Sequence, residues 1–194
     1  NTGINYTGLE YFFSSNANTN RYTIEIPEYE LVELRQEGEK PQSLERALRI
    51  FIIGVAFGMF KKEHINNLNR SMIIHTHHRT DEIMESHKKY FDFVKGTIEE
   101  WKFLLSSLSN TGYEEQGAKD EIEKLKEAHS EVLKTQNDLV DFDILFSKKF
   151  IQQAIEHLHP IEFNASNNRR IGDLINWEDG GIYARILIGG MGLD

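Results

Sequence analysis

Ser71-Met-Ile-Ile-His-Thr76, followed shortly by Thr80-Asp-Glu82, decides the fold class of this chain. Met72, Ile73 and Ile74 run together instead of alternating with polar residues, as a strand buried on both faces of a parallel sheet does. Thr80 with Asp81 and Glu82 reads as a helix start: a hydroxyl beside the first amides, then carboxylates at the positive end of the helix dipole. Strand, loop and helix make half of a βαβ unit. Ile161-Glu-Phe-Asn164, entered through Pro160, and Tyr183-Ala-Arg-Ile-Leu-Ile188 read as further strands. Strands alternating with helices predict an α/β fold built on a parallel sheet.

Upstream, a helix is expected from Pro41, with Ser43 as N-cap and Glu45 in its first turn. Leu44, Leu48, Phe51, Ile52, Val55 and Met59 share one face, and Ile50, Ile53 and Phe57 widen it, so this helix belongs at the centre of the core. Downstream, Ile83, His87, Tyr90, Val94, Ile98, Trp101, Leu105 and Leu108 recur at helical spacing. After Asn110-Thr-Gly112 the spacing resumes with Ile122, Leu125, His129 and Val132. Residues 81–139 therefore read as a long inserted antiparallel helical hairpin, its narrow apolar stripe satisfied internally and its charged faces projecting as an arm. Another helix is expected near Phe146 to Leu158. Residues 1–40 form a leading segment with a strand at Arg21-Tyr-Thr-Ile-Glu-Ile26 that Pro27 ends. The whole, 1–194, is expected to be one domain, with its α/β core at 41–80 and 140–194.

The net charge of -9 and pI of about 5.4 exclude a protein that holds nucleic acid by a global positive field, so phosphate contacts must be local. With no cysteine, disulfide scaffolds, thiolate metal sites and cysteine nucleophiles are excluded. The most apolar run, Ile50 to Phe60, is far short of the roughly 20 residues that span a bilayer. No membrane partner is expected, and a chain with neither a basic stretch nor an apolar signal core reads as cytoplasmic. Asn1 at the start and a bare glycine turn after Ile188 suggest a fragment of something longer.

No Gly-x-x-x-x-Gly-Lys-Ser/Thr loop is present to cradle a nucleotide, and no Gly-x-Ser-x-Gly elbow or His-Glu-x-x-His helix. Alone, the chain is expected to be inactive and to carry no cofactor. The densest titratable group is His75-Thr-His77-His78-Arg79 at a strand end. Period two puts His75 and His77 on one face, where a metal pair would sit, yet no third ligand can be placed beside them, so no metal is expected. Contact with a ligand outside the carboxyl ends of the strands is the other reading of His75, His77, His78 and Arg79. The segment Asn164-Ala-Ser-Asn-Asn-Arg-Arg170 also follows a strand and offers amide, hydroxyl and guanidinium groups that bond phosphate oxygens without reading sequence. Asn164, Ser166, Arg169 and Arg170 are the candidate nucleic-acid contacts, against the plainer reading of a solvated loop.

Pro41-Gln-Ser-Leu-Glu-Arg-Ala-Leu48 running into Phe51-Ile-Ile-Gly-Val-Ala56, then Ser71-Met-Ile-Ile-His75, then Ile186-Leu-Ile-Gly-Gly190 resemble the Z-one domain family of bacterial and phage DNA endonucleases. The resemblance covers about 40–90 and 160–194 well, and the hairpin loosely. It implies a superfamily 2 helicase-like protein in which this region is the second RecA-like motor domain. The parent would then bind ATP and Mg through an upstream nucleotide-binding domain, with DNA as partner and a role in restriction, repair or phage defence. Asn164 and Ser166 fall where the family has its Asn-Ser pair, whereas His77-His78 stand where it often has Ser-Arg, leaving Arg79 as the nearest arginine. The family's Arg-bearing motif after the Gly-Gly strand is not matched by Gly192-Leu-Asp194. A metal-dependent hydrolase built on His75 and His77, and a helical protein-interaction module, are the competing readings.

Overall fold

The computed structural model describes residues 41–63, 69–75, 84–110, 116–163 and 183–189. In chain order these form α1 (Gln42–Phe60), β1 (Arg70–His75), α2 (Met84–Asn110), α3 (Gln116–Leu133), α4 (Phe142–Ser147), α5 (Phe150–Glu156), β2 (Leu158–Phe163) and β3 (Ala184–Gly189). The strand expected at 21–26 lies outside them. The strands form one parallel sheet in the order β1-β3-β2. The predicted α/β class with a parallel sheet is therefore present.

All six residues of the central strand β3 are buried, so neither of its faces meets solvent. The expectation that 71–76 is the doubly buried strand needs correction. Among the described strands β1 lies at the sheet edge, Ile73 is 56% exposed, and Ser71 beside it in register with Arg185 is exposed too. Apolar runs do not separate central from edge strands, because sheet order is set by distant segments. Ile74, Leu158, Ala184, Ile186 and Ile188 share one face by register and join a core with Leu48 and Ile52 of α1, Val94, Ile98 and Trp101 of α2, and Ile151 and Ile155 of α5. The helical layer therefore packs on this face, while Arg185 and Leu187 point to the other.

α1 begins as expected, but its N-cap is Pro41, which supplies no side-chain bond, and Ser43 stands inside the first turn. Leu48, Ile52, Val55 and Met59 are buried; Phe51, expected at the centre, packs against the core only partly buried. The hairpin forms: α2 and α3 are joined by 111–115, and Leu104 Cδ2 lies 3.5 Å from where a Cβ on Gly117 would stand. Its apolar stripe is not satisfied within the hairpin, since α3 lies chiefly along α1. The reason is chemical as well as apolar. Arg49 of α1 donates from Nε and Nη2 to Glu121 of α3 at 2.6 and 2.8 Å, and from Nη2 to Glu45 at 2.9 Å. The guanidinium also stacks 5.0 Å over Trp101 of α2. Burial opposes its charge, but the hydrogen bonds and charges of Glu121 and Glu45 outweigh burial and raise its pKa.

The single helix expected near 146–158 is two short ones, because Lys149 takes a left-handed φ of 62° between α4 and α5. β2 begins at Leu158 and includes Pro160. It pairs with β3 alone among the described strands, and an edge strand tolerates a residue without an N–H. At the amino end of the sheet, Glu63 Oε2 accepts from Arg70 Nη2 at 2.7 Å and from the Tyr183 hydroxyl at 3.1 Å. Gly58 packs closely there: a Cβ would stand 1.9 Å from the Tyr183 hydroxyl oxygen, so a larger residue would have to displace it. Among the described residues no helix is long and apolar enough to cross a membrane.

Candidate ligand site at the carboxyl edge of the sheet

Parallel pairing puts the carboxyl ends of the three described strands on one edge, and here the register makes them a single row. His75 of β1 pairs with Gly189 of β3, and Gly189 pairs with Phe163 of β2. Residues 76 and 164 are therefore covalently attached to strand ends that flank the same glycine. Two candidate segments more than eighty positions apart in sequence start from that one edge. Open parallel sheets bind ligands in this position, because strand ends present main-chain groups and the connections that follow supply side chains.

The structure brings together the starting points of the two segments, through the main chain at His75 and Phe163. The side chain of His75, and all of His77, His78, Arg79, Asn164, Ser166, Arg169 and Arg170, lie outside the described residues. Among the described residues no group of three His, Asp or Glu is placed to hold a metal, and the His75–His77 pair is not among them.

Charged groups missed in the sequence sit away from this edge. Arg185 is 1% exposed in the central strand, in register with Ser71 on one side and His159 on the other. Burial first, then the positive charges of His157, Lys102 and Arg185, hold His159 below the ordinary histidine range. An arginine inside an otherwise apolar strand was the available signal. The Arg49–Glu121 pair had none, since its partners are joined only by how α1 and α3 pack.

Neither a curated protein nor a solved structure matches the chain. The model of the Z1 domain matches residues 43–194, from the first turn of α1 through the three described strands. The chain belongs to the Z1 domain family.

Proposed function

We propose that this chain is the second, RecA-like motor domain of an ATP-driven, DNA-acting enzyme, and that it touches the sugar-phosphate backbone from the carboxyl edge of its sheet. The observation that carries this reading is the row His75–Gly189–Phe163, from which the segments bearing His77, His78 and Arg79 and Asn164, Ser166, Arg169 and Arg170 both set out. Family membership supports it. In this reading ATP and Mg bind an upstream domain of a longer protein, because no phosphate-cradling loop occurs here. Asn164 and Ser166 bond phosphate oxygens by amide and hydroxyl, and Arg169 and Arg170 add charge. DNA cleavage, where the parent performs it, belongs to another part of that protein, since paired acids for two-metal chemistry are not evident in this sequence.

The test is steady-state ATPase of the longer protein with and without single-stranded DNA, comparing wild type with the Arg169→Ala, Arg170→Ala double variant. The expected result is a loss of most DNA stimulation with basal turnover nearly unchanged. Equal stimulation in the two proteins removes the segment's role. Absence of any DNA response in wild type removes the motor reading itself.

A further inference from the structure

The outward face of α2 carries a pattern that the core does not use. On a helix of about 3.6 residues per turn, Val94, Ile98, Trp101 and Leu105 share the side that joins the core. Lys88, Asp92, Lys95, Gly96, Glu99 and Phe103 share the opposite side, and each of them is exposed. Lys88, Asp92, Lys95, Glu99 and Lys102 follow one another at steps of three or four, so their charges alternate in sign along the helix. Glu99 holds Lys102 at 3.1 Å, whereas among the described residues no ion pair engages Lys88, Asp92 or Lys95. Two further residues on this side have no use inside the chain. Phe103 is 66% exposed, and Gly96 has open space for 4 Å around the place where a Cβ would stand. Within one protomer an exposed glycine only weakens its helix, since alanine would fit and hold the helical backbone better.

A partner of one sign, such as a polyanion or a basic peptide, would meet repulsion at every second residue of this row. Its complement must itself alternate at the same spacing, and the row does so when turned end over end. A two-fold axis at the level of Thr97 sets Asp92 opposite Lys102 of the second copy and Lys95 opposite Glu99 of the second copy. Symmetry repeats both pairs on the other side of the axis. Parallel pairing in register would instead set lysine against lysine and acid against acid. Gly96 stands beside the axis, where a missing side chain lets two helix backbones approach closely. Phe103 comes over the Lys88–Asp92 turn of the second copy, where lysine stems can cover its ring. We infer that α2 is the surface through which two copies of this chain associate, antiparallel, about an axis near Gly96 and Thr97. Two chains of charge -9 repel at long range, but salt near 0.15 M screens that beyond about 8 Å and leaves the local pairs to decide. One helix face against its copy is a small interface, so the dimer is a weak one. The inference uses no residue of the proposed nucleic-acid contact, so either can fail alone.

The experiment substitutes only exposed residues. Sedimentation equilibrium of the chain is run near 0.15 M salt and up to about 100 µM, where an interface with a micromolar Kd is largely occupied. Wild type is expected to be a dimer there. Lys95→Glu and Glu99→Lys each set like charges against one another at both symmetry-related places. Each is expected to weaken self-association about tenfold or more while keeping the wild-type melting temperature. Mixing the two variants is expected to restore association as a mixed dimer. The new carboxylate of one then faces the new ammonium of the other, and the unaltered Glu99 of the first faces the unaltered Lys95 of the second. Phe103→Ser, at a position already 66% exposed, is expected to weaken the dimer severalfold with the melting temperature unchanged. A wild-type chain that stays monomeric overturns the proposal, whatever other protein α2 holds. A dimer that both charge variants and Phe103→Ser leave intact overturns the placement on α2. Two weakened charge variants whose mixture stays monomeric overturn the antiparallel pairing.

Discussion

Single residues in this chain act mainly through the space and charge around them, and two glycines show how far that context decides. Gly58 sits where a Cβ would meet the Tyr183 hydroxyl at 1.9 Å, Glu63 at 2.6 Å and Arg70 Nε at 2.7 Å. Gly58→Ala must displace a hydrogen-bonded trio, and a loss of about 1–3 kcal/mol is expected, as for other overpacked sites. Gly96, inside α2, has nothing within 4 Å of its virtual Cβ. Gly96→Ala should therefore stabilise by about 0.5–1 kcal/mol through helix propensity. Urea unfolding of both variants checks the pair; equal effects would show that the contacts at Gly58 are not as described. His159 gives a pH-dependent case. Burial and the neighbouring His157, Lys102 and Arg185 hold its folded-state pKa below the ordinary value of 6.5. The unfolded chain then binds a proton more readily, so this contribution to stability is complete above pH 6.5 and is lost as pH falls through the folded pKa. His159→Gln is expected to flatten the stability profile just below pH 6.5, seen as a smaller drop in melting temperature between pH 7 and pH 5.5.

At the scale of elements, the buried guanidinium of Arg49 joins three helices that local pattern treats as two separate units. Arg49 and Glu121 are each about 5% exposed, so removing one partner strands a charge away from water. Glu121→Ala is expected to cost about 3–5 kcal/mol. Replacing the whole buried cluster, as in Arg49→Met with Glu121→Leu and Glu45→Gln, should recover most of that loss, which denaturation of the two variants would measure. A cost below 1 kcal/mol for Glu121→Ala would mean that α3 does not depend on α1. This junction also marks where the sequence stopped being legible. The periods of α1, α2 and α3 are written in apolar spacing, and Leu48, Val94, Ile98, Trp101 and Leu125 were all placed on the correct faces. That α3 turns its stripe toward α1 was not, because amphipathic spacing specifies a buried face without specifying the partner that buries it. The break at Lys149 was equally invisible, since lysine has no intrinsic preference for a positive φ and tertiary packing imposes it. At the candidate site, strand ends were legible to within a residue or two, whereas their alignment on Gly189 depended on a sheet order that no local pattern encodes.

For the whole molecule, the dominant quantity is charge. A chain carrying -9 repels a polyanion at long range, so any nucleic-acid contact has to gain its free energy locally, from a few groups at one edge of the sheet. In the proposed reading Arg169 and Arg170 are those charges, while Asn164 and Ser166 contribute hydrogen bonds that release no counterions. The two kinds of contact separate cleanly in a salt series. Each phosphate neutralised on a single strand contributes a slope of about -0.7 to log affinity against log salt. The Arg169→Ala, Arg170→Ala variant of the longer protein is thus expected to lose affinity for single-stranded DNA and to show a slope shallower by about 1.4. Asn164→Ala with Ser166→Ala should lower affinity at every salt concentration with the slope preserved, because neutral hydrogen bonds shift the line without tilting it. Fluorescence anisotropy with a labelled oligonucleotide between 50 and 200 mM salt, on the order of the range where counterion release is measurable, resolves both effects. If the arginine variant keeps the wild-type slope, the cations that meet the backbone lie elsewhere, and the carboxyl-edge assignment of Arg169 and Arg170 fails.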